Sequence, residues 1–174
     1  MTNDQIALWT SAAEAFDTRH KLITPNHHSR PTPCDDFDVA ALVDHATGAQ
    51  VGLGQIFGSK AQEGASWAEA RDAMAAALAT PGSIDGTMEH PLFGEVSKER
   101  MLAIATNDIL IHAWDLSRAL GVDETLPEQN LQPAIDGIEA FEPQAREMLF
   151  GPPLETEASA SLQNKMLAVA GRQV

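Results

Sequence analysis

The amino-acid sequence predicts an all-α protein. Apolar residues recur at helical spacing in several segments, and alternating β-branched segments of the kind found in strands are scarce. Proline, glycine and helix-capping residue types separate the apolar segments. There is no internal repeat and no low-complexity tract, so we expect a single helical domain over residues 1–174.

The first two helices flank a proline-rich connector. The first helix is predicted from about Asp4 to about Leu22, and one of its faces carries Ile6, Trp9, Ala13, Phe16 and His20. The connector ITPNHHSRPTPC contains three prolines and cannot be helical throughout. The second helix begins after Asp38, a good N-cap residue. Its inward stripe is predicted to be Leu42, His45, Ala49, Gly52 and Ile56.

The remaining helices lie on either side of a turn-rich loop. SWAEARDAMAAALAT, rich in helix-forming residues, predicts a third helix that a Pro-Gly pair stops. GSIDGTMEHPLFGEV then predicts a loop with a short extended piece. The fourth helix is predicted from about Lys98 to Leu120, with Gly121 as its C-terminal cap. A fifth helix is predicted from Leu131 to about Leu149, and a short terminal helix over residues 162–169.

Composition excludes several classes of protein. With a net charge of −14 and only 11 Lys and Arg residues, the chain lacks the clustered cations that bind nucleic acids or anionic membranes. No apolar run reaches the roughly 18 residues that span a bilayer, and the N-terminal sequence lacks the features of a signal peptide. The single cysteine, Cys34, cannot form an internal disulfide. We therefore expect a cytoplasmic protein that acts on a small molecule, with a homodimer as an open alternative.

Polar residues interrupt the fourth helix in the stretch NDILIHAWDLSRALG. Asp108 and His112 are four residues apart and Asp115 follows three residues later, so the three share one helix face. The helix is otherwise apolar around most of its circumference, as expected of a central bundle element. A buried carboxylate is costly unless a partner or a cation compensates its charge. We expect Asp115 to form an ion pair with Arg118 or Arg19 rather than to orient a histidine.

His45 adds a third candidate metal ligand. It lies on the predicted inner face of the second helix, and two imidazoles with one carboxylate form a ligand set that suits zinc, nickel or ferrous iron. Three protein ligands leave coordination positions open for water or a substrate atom. The alternative is an internal ion pair between Asp108 and His112, with His45 as a hydrogen-bonded core residue. His20, near the end of the first helix, is a further candidate for contact with the site.

Three blocks of the sequence resemble one known family. They are RPTPCDDFDVAALVDHATG, PLFGEVSKERMLAIATNDILIHAWDLSRALG and FGPPLETEASASLQNKMLAVAGR, which with the spacing between them cover nearly the whole chain from about Leu22. The blocks are similar to bacterial DinB-like metal-binding proteins, short actinobacterial-type relatives of the mycothiol-dependent maleylpyruvate isomerases. The resemblance implies a DinB-like four-helix bundle, with extra short helices and a C-terminal extension in this chain.

The resemblance also implies a ligand set and a cofactor. The family's histidine in L-x-x-H falls on His45 in LVDH, and its acidic-x-x-x-His pair falls on Asp108 and His112. The implied cofactor is a divalent metal, zinc first with nickel or iron as alternatives, and the implied cosubstrate is a thiol such as mycothiol. The isomerases carry glutamate where this chain has the shorter Asp108. They also have a further C-terminal domain, for which we expect no counterpart here, so their specific substrate is not implied.

Two functional hypotheses follow from the site. A divalent metal lowers the pKa of a thiol or water that it binds, which favours an enzyme of the thiol-dependent isomerase or transferase type. The alternative is a non-catalytic helical bundle that binds a metal or a small ligand. Open coordination positions favour the enzyme, and the absence of an obvious general base favours the binding protein.

Overall fold

The chain is built of helices with one small hairpin. The structure, a computed structural model, describes residues 2–34 and 37–174, without the side chains of residues 2, 3, 144 and 148. In this part of the chain helices predominate, which confirms the all-α prediction. In chain order they are α1 (Thr2–His20), α2 (Val39–Gly54), α3 (Trp67–Leu78), α4 (Lys98–Leu120), α5 (Glu128–Glu139), α6 (Pro143–Phe150) and α7 (Leu162–Val169). Strands β1 (Thr87–His90) and β2 (Gly94–Ser97) pair antiparallel between α3 and α4. None of the described helices is long and apolar enough to cross a membrane.

Four helices pack together as a bundle around α4. α4 packs on α1 and α2, α2 also packs on α3, and α3 contacts α1. α5 packs on α4 and α1, and α7 packs on α5. Large buried side chains from the four bundle helices fill the interior: Trp9, Phe16, Leu42, Met74, Leu102, Ile109 and Trp114. α4 is therefore the central helix, as its apolar circumference predicts.

Both ends of α4 follow from local sequence. The Ser97 side chain accepts a hydrogen bond from the Arg100 backbone N–H at 3.1 Å and caps the N-terminus. Gly121 ends the helix in the left-handed region at φ 70°, a conformation that favours glycine. The predicted bounds of this helix are confirmed, which places Asp108 and His112 near its middle, one turn apart.

α2 begins where the sequence predicts but presents a different face to the core. Its cap residue Asp38 accepts a hydrogen bond from the Ala41 backbone N–H at 2.9 Å. The predicted inward stripe is wrong for His45 and Gly52, which are exposed, and only partly right for Ala49, which is half-buried. Leu42 is buried as predicted, and the half-buried Ile56 packs on the core beyond the end of α2. The buried positions of α2 are instead Val39, Leu42, Ala46, Thr47, Gln50, Val51 and Gly54. Since α2 packs on both α3 and α4, its buried arc is rotated and His45 lies at the edge of the α2–α4 contact.

Two further segments differ from the prediction. The short extended piece is a complete hairpin, in which Thr87 lies opposite Ser97. The predicted fifth helix is wrong as one element, because it is divided into α5 and α6. Glu142 between them is extended (φ −57°, ψ 142°), since Pro143 disfavours the helical conformation in the residue before it. Pro143 then occupies the first turn of α6, where a missing N–H costs nothing.

Gln50 joins three helices of the bundle through its buried amide. The Trp9 indole N–H donates to Gln50 Oε1 at 2.9 Å, and Gln50 Nε2 donates to the backbone carbonyl of Ala105 at 3.0 Å. Gln50 is fully buried. Because both the oxygen and the nitrogen of this buried amide are hydrogen-bonded, Gln50 fixes the relative positions of α1, α2 and α4. It therefore also fixes the position along α4 at which His45 approaches that helix.

Replacing Gln50 by Leu is expected to lower the free energy of unfolding by about 1–3 kcal/mol, because the Trp9 N–H is left buried without an acceptor. Urea denaturation of the metal-free protein measures this. The Trp9→Phe change is the matched partner, because it removes the same donor. In the double variant we expect a loss smaller than the sum of the single losses. Strictly additive losses would contradict the role assigned to this hydrogen bond.

Candidate metal centre

The structure brings His45, Asp108 and His112 together. Asp108 Oδ1 lies 3.5 Å from His112 Nε2 and 3.7 Å from His45 Nε2. One donor atom from each of the three residues lies within 4.8 Å of the other two, an arrangement that could hold a metal ion. The prediction that these residues meet is confirmed, with Asp108 and His112 on α4 and His45 on α2.

Each ligand is positioned by its helix and by one neighbour. Asp108 and His112 project from the same face of α4 because they are one turn apart. His45 projects from the edge of α2, where the ring of Phe37 stacks on it with centroids 4.9 Å apart. The His45 ring meets the His112 ring edge-on, at 5.1 Å between centroids and 88° between planes. These ring contacts hold the His45 imidazole against α4 although its side chain is 41% exposed.

Burial increases from one side of the cluster to the other. The side chain of His45 is 41% exposed, that of Asp108 is 22% exposed and that of His112 is 7% exposed. The second carboxylate oxygen, Asp108 Oδ2, is buried and has no hydrogen-bond partner among the described residues. A buried ionised oxygen without a donor is costly, and a cation is the kind of group that would compensate it.

The electrostatics of the metal-free cluster are those of an ion pair. Burial alone lowers the pKa of His112, but the carboxylates of Asp108 and Asp115 outweigh burial and raise that pKa to about 9. Burial alone raises the pKa of Asp108, yet His112 and His45 hold it well below its usual range. Asp108 is therefore ionised at neutral pH, and His112 carries a proton that a metal would displace.

The ligand spacing fits a divalent ion with nitrogen and oxygen ligands. In a tetrahedral zinc site, donor atoms about 2.0–2.2 Å from the metal lie roughly 3.4 Å from one another. The separations of 3.5 and 3.7 Å in this cluster are close to that value. The shorter side chain of Asp108 reaches both histidine nitrogens directly, so the aspartate is compatible with direct coordination. The same ligand types also suit nickel and ferrous iron.

Asp115 does not form the ion pair that the sequence predicts. It is fully buried, its Oδ2 accepts a hydrogen bond from His112 Nδ1 at 3.0 Å, and Arg172 binds both of its oxygens. Arg118 pairs instead with Glu124. Arg19, the other predicted partner, is buried and donates instead to Ser117 Oγ and to backbone carbonyls, whereas Asp115 faces a different part of the interior. In its observed position Asp115 orients His112 so that Nε2 points toward Asp108.

The other candidate residues do not belong to this three-residue cluster. The His20 ring stacks on Phe16 near the end of α1, and burial lowers its pKa. Cys34 is half-buried in the connector before α2. Within the ranges 2–34 and 37–174, no residue beyond the three named ligands joins a cluster with metal-binding spacing. The residues that the sequence did not indicate are Phe37, which stacks on His45, and Arg172, which reaches His112 through Asp115.

Comparison with known proteins shows the family to which this chain belongs. Two relatives are uncharacterized proteins from two strains of Mycobacterium tuberculosis. Each is 30% identical to this chain over 125 residues, which cover 68% of this chain and 68% of the relative. The chain belongs to the same family as these mycobacterial proteins. No family model and no solved structure matches, so the resemblance to DinB-like proteins remains a prediction.

We expect the purified protein to bind one divalent ion per chain. The variants His45→Ala, Asp108→Asn and His112→Ala are each expected to weaken zinc binding by at least 100-fold, because each removes one of three ligands. Titration against a chromophoric chelator measures the affinity. His90→Ala is the matched control, because His90 stacks on Phe93 in the hairpin and contacts none of the ligands. Wild-type affinity in the His112 variant would contradict the assignment.

The apparent zinc affinity is expected to rise about tenfold per pH unit from neutral pH toward pH 9. The pKa of His112 is raised to about 9 in the metal-free protein, so binding below that pH displaces a proton from the ring. In the metal-free protein the same raised pKa stabilises the fold fully below the ordinary histidine value of about 6.5. That stabilisation is lost as the pH rises through about 9. A zinc affinity that levels off just above neutral pH, after correction for the chelator's protonation, would contradict this.

Proposed function

We propose that this protein is a metal-dependent enzyme in which His45, Asp108 and His112 bind a divalent ion, with zinc as the first candidate. The observation that carries the proposal is the meeting of three donor atoms within 4.8 Å beside a buried carboxylate oxygen that lacks a partner. We infer that the ion activates a low-molecular-weight thiol or a water molecule. The reaction class that we propose is thiol-dependent isomerisation or transfer.

The exposure of the cluster supports an enzyme over a structural metal site. Structural zinc sites are closed by four protein ligands, whereas catalytic sites use three and leave a position for water or substrate. Here the described residues supply three ligands, and the side chain of His45 is 41% exposed. A small molecule would therefore approach from the α2 side, whereas the buried α4 side excludes water from the His112 ring.

The roles of the protein residues follow from their positions. Asp108 supplies the only negative charge among the three ligands, so two neutral imidazoles and one carboxylate leave a divalent ion with net positive charge. A divalent ion held there would lower the pKa of a bound thiol or water toward neutrality. Asp115 orients the His112 ring through its Nδ1, and Phe37 orients the His45 ring by stacking. These two contacts keep the ligand nitrogens directed at one point.

The resemblance to DinB-like proteins and to the mycothiol-dependent isomerases supports the thiol as cosubstrate. The L-x-x-H histidine and the acidic-x-x-x-His pair of that family correspond to the three residues that meet in this structure. We therefore propose a DinB-like site that uses a thiol such as mycothiol. This chain carries Asp108 where those isomerases carry glutamate, so the proposal does not extend to the isomerases' own substrate.

Turnover by the zinc-loaded protein tests the proposal. We expect the protein to accelerate the reaction of a small thiol, tested as mycothiol, cysteine and glutathione, with α,β-unsaturated acids, because the thiolate is the nucleophile. The rate is followed by ultraviolet absorbance, because addition of the thiol removes the conjugated double bond, whereas isomerisation releases the thiol again and shifts the absorption of the double bond. Zinc-loaded protein is compared with chelator-treated protein and with the His112→Ala variant at equal zinc.

Each outcome of this experiment decides between the hypotheses. Turnover that requires both zinc and His112 supports the enzyme. Tight zinc binding without turnover of any thiol or electrophile would overturn the enzyme and favour the non-catalytic metal-binding bundle. Failure of the wild-type protein to bind zinc, nickel or iron would overturn both.

A further inference from the structure

We propose that Arg172 is a positioning residue for the metal ligand His112, so that the docking of the C-terminal segment (residues 151–174) sets the metal affinity. The inference rests on the proposed metal binding and adds a residue that contacts no ligand itself. Arg172 lies 57 positions from Asp115 in the sequence. It acts through the carboxylate of Asp115, which accepts hydrogen bonds from both Arg172 and His112 Nδ1.

The carboxylate of Asp115 is held at both oxygens. Arg172 Nε donates to Asp115 Oδ1 at 2.9 Å and Arg172 Nη2 donates to Asp115 Oδ2 at 2.9 Å. Such a two-point contact fixes the rotation of the carboxylate as well as its position. Oδ2 also accepts the hydrogen bond from His112 Nδ1 at 3.0 Å. The rotation of the carboxylate therefore sets the direction in which the His112 ring points.

The backbone places Arg172 by a turn at the end of α7. Gly171 has φ 72°, in the left-handed region, and the Arg172 backbone N–H donates to the Leu167 carbonyl at 2.8 Å. A Cβ atom at position 171 would lie 2.7 Å from the Phe150 carbonyl oxygen, so the chain passes too close to α6 for any residue but glycine. This turn reverses the chain and directs the Arg172 side chain toward α4.

The guanidinium has further contacts that tie it to the end of α6. Arg172 Nη1 donates to the carbonyls of Ala170 at 3.1 Å and Phe150 at 3.4 Å. Its side chain is only 11% exposed. Arg172 thus connects three places: the end of α6, the end of α7 and the interior of α4. A displacement of the C-terminal segment would move the guanidinium and release the Asp115 carboxylate.

Two physical effects of Arg172 on the metal have opposite signs, which makes the proposal testable. A positive charge near the site repels a divalent cation, so removal of the charge alone would raise the metal affinity. Positioning of Asp115 favours the productive orientation of His112, so loss of the contact would lower the affinity. Lysine keeps the charge but cannot make the two-point contact, whereas glutamine removes the charge and keeps one donor.

We expect Arg172→Lys to weaken zinc binding by about tenfold, in the range found when partners behind metal ligands are removed. We expect Arg172→Gln to weaken it less, because loss of the positive charge partly offsets loss of the contact. Arg118→Gln is the matched control, because Arg118 lies on the same helix as the ligands but pairs with Glu124 at 2.8 Å. Affinity is measured by chelator competition on protein whose fold is verified by circular dichroism. The absorption spectrum of the cobalt-loaded protein reports the ligand geometry directly, and we expect it to change in both Arg172 variants.

A second variant tests the same inference without changing any charge. Gly171→Ala should displace the turn that carries Arg172 and weaken zinc binding severalfold, although residue 171 contacts neither Asp115 nor a ligand. Gly58→Ala is its control, because Gly58 has φ 93° in the turn after α2, so alanine there meets the same left-handed strain without the close contact that Phe150 makes at position 171. Folding of Gly171→Ala is checked by the same circular dichroism spectrum.

The results separate this inference from the proposed function. If the wild-type protein binds zinc and both Arg172 variants bind it equally well with an unchanged cobalt spectrum, Arg172 is only a structural anchor and the inference is wrong. A rise in affinity for Arg172→Gln with no change for Arg172→Lys would show a charge effect and also overturn it. Failure of the wild-type protein to bind metal would instead overturn the proposed function on which the inference rests.

Discussion

The burial of a carboxylate within the central helix is the constraint on which the rest of the structure depends. α4 must be apolar on most faces because it packs on α1, α2 and α5, yet it carries Asp108 in that setting. An ionised carboxylate removed from water needs a compensating positive group. His112 provides one, since its pKa is raised to about 9 by the two carboxylates beside it. The charge of His112 is in turn balanced on its far side by Asp115.

The pairing of buried charges continues from Asp108 and His112 through Asp115 to Arg172, whose side chain is partly exposed to water. Asp115 is fully buried and would itself be costly if His112 lost its proton. Arg172 compensates the charge of Asp115 with two hydrogen bonds, and its Nη1 donates to backbone carbonyls. The C-terminal segment is thus held to the bundle by the pairing of Arg172 with Asp115, which also orients a residue of the candidate metal site. Packing of α7 on α5 alone would not specify where the residues beyond α7 lie.

The sequence predicts those features that are set by neighbours along the chain. The ends of α4 follow from Ser97 and Gly121, and the meeting of Asp108 with His112 follows from helical periodicity. Pro143 disfavours a helical conformation in the residue before it, so the sequence contained the reason for the break. The prediction of one continuous helix followed the apolar residues that recur at helical spacing on both sides of this proline. The rotation of α2 could not be predicted, because it depends on how two neighbouring helices share one face.

The partner of Asp115 shows why a candidate site is harder to predict than a helix. Sequence proximity favoured Arg118, which is three residues away on the same helix. In the structure Arg118 turns outward to Glu124 and stacks over Trp114 at 4.7 Å, where its charge remains solvated. Burial of Asp115 requires a cation that can be desolvated and fixed, and only tertiary contacts reveal that Arg172 satisfies this. His45 was predicted on the inner face of α2, and it reaches the site from the edge of that helix instead.

The two sides of the metal centre consequently differ in how firmly their ligands are held. His112 and Asp108 are fixed by helix α4, by Asp115 and by burial, so their donor atoms are in place before any ion arrives. His45 is exposed and is held by stacking on Phe37, an interaction that permits small rotations of the ring. The three candidate ligands therefore form a fixed pair on α4 and a more exposed third residue on α2. For the proposed function, this difference favours a catalytic ion over a structural one, since structural zinc sites are closed by four protein ligands.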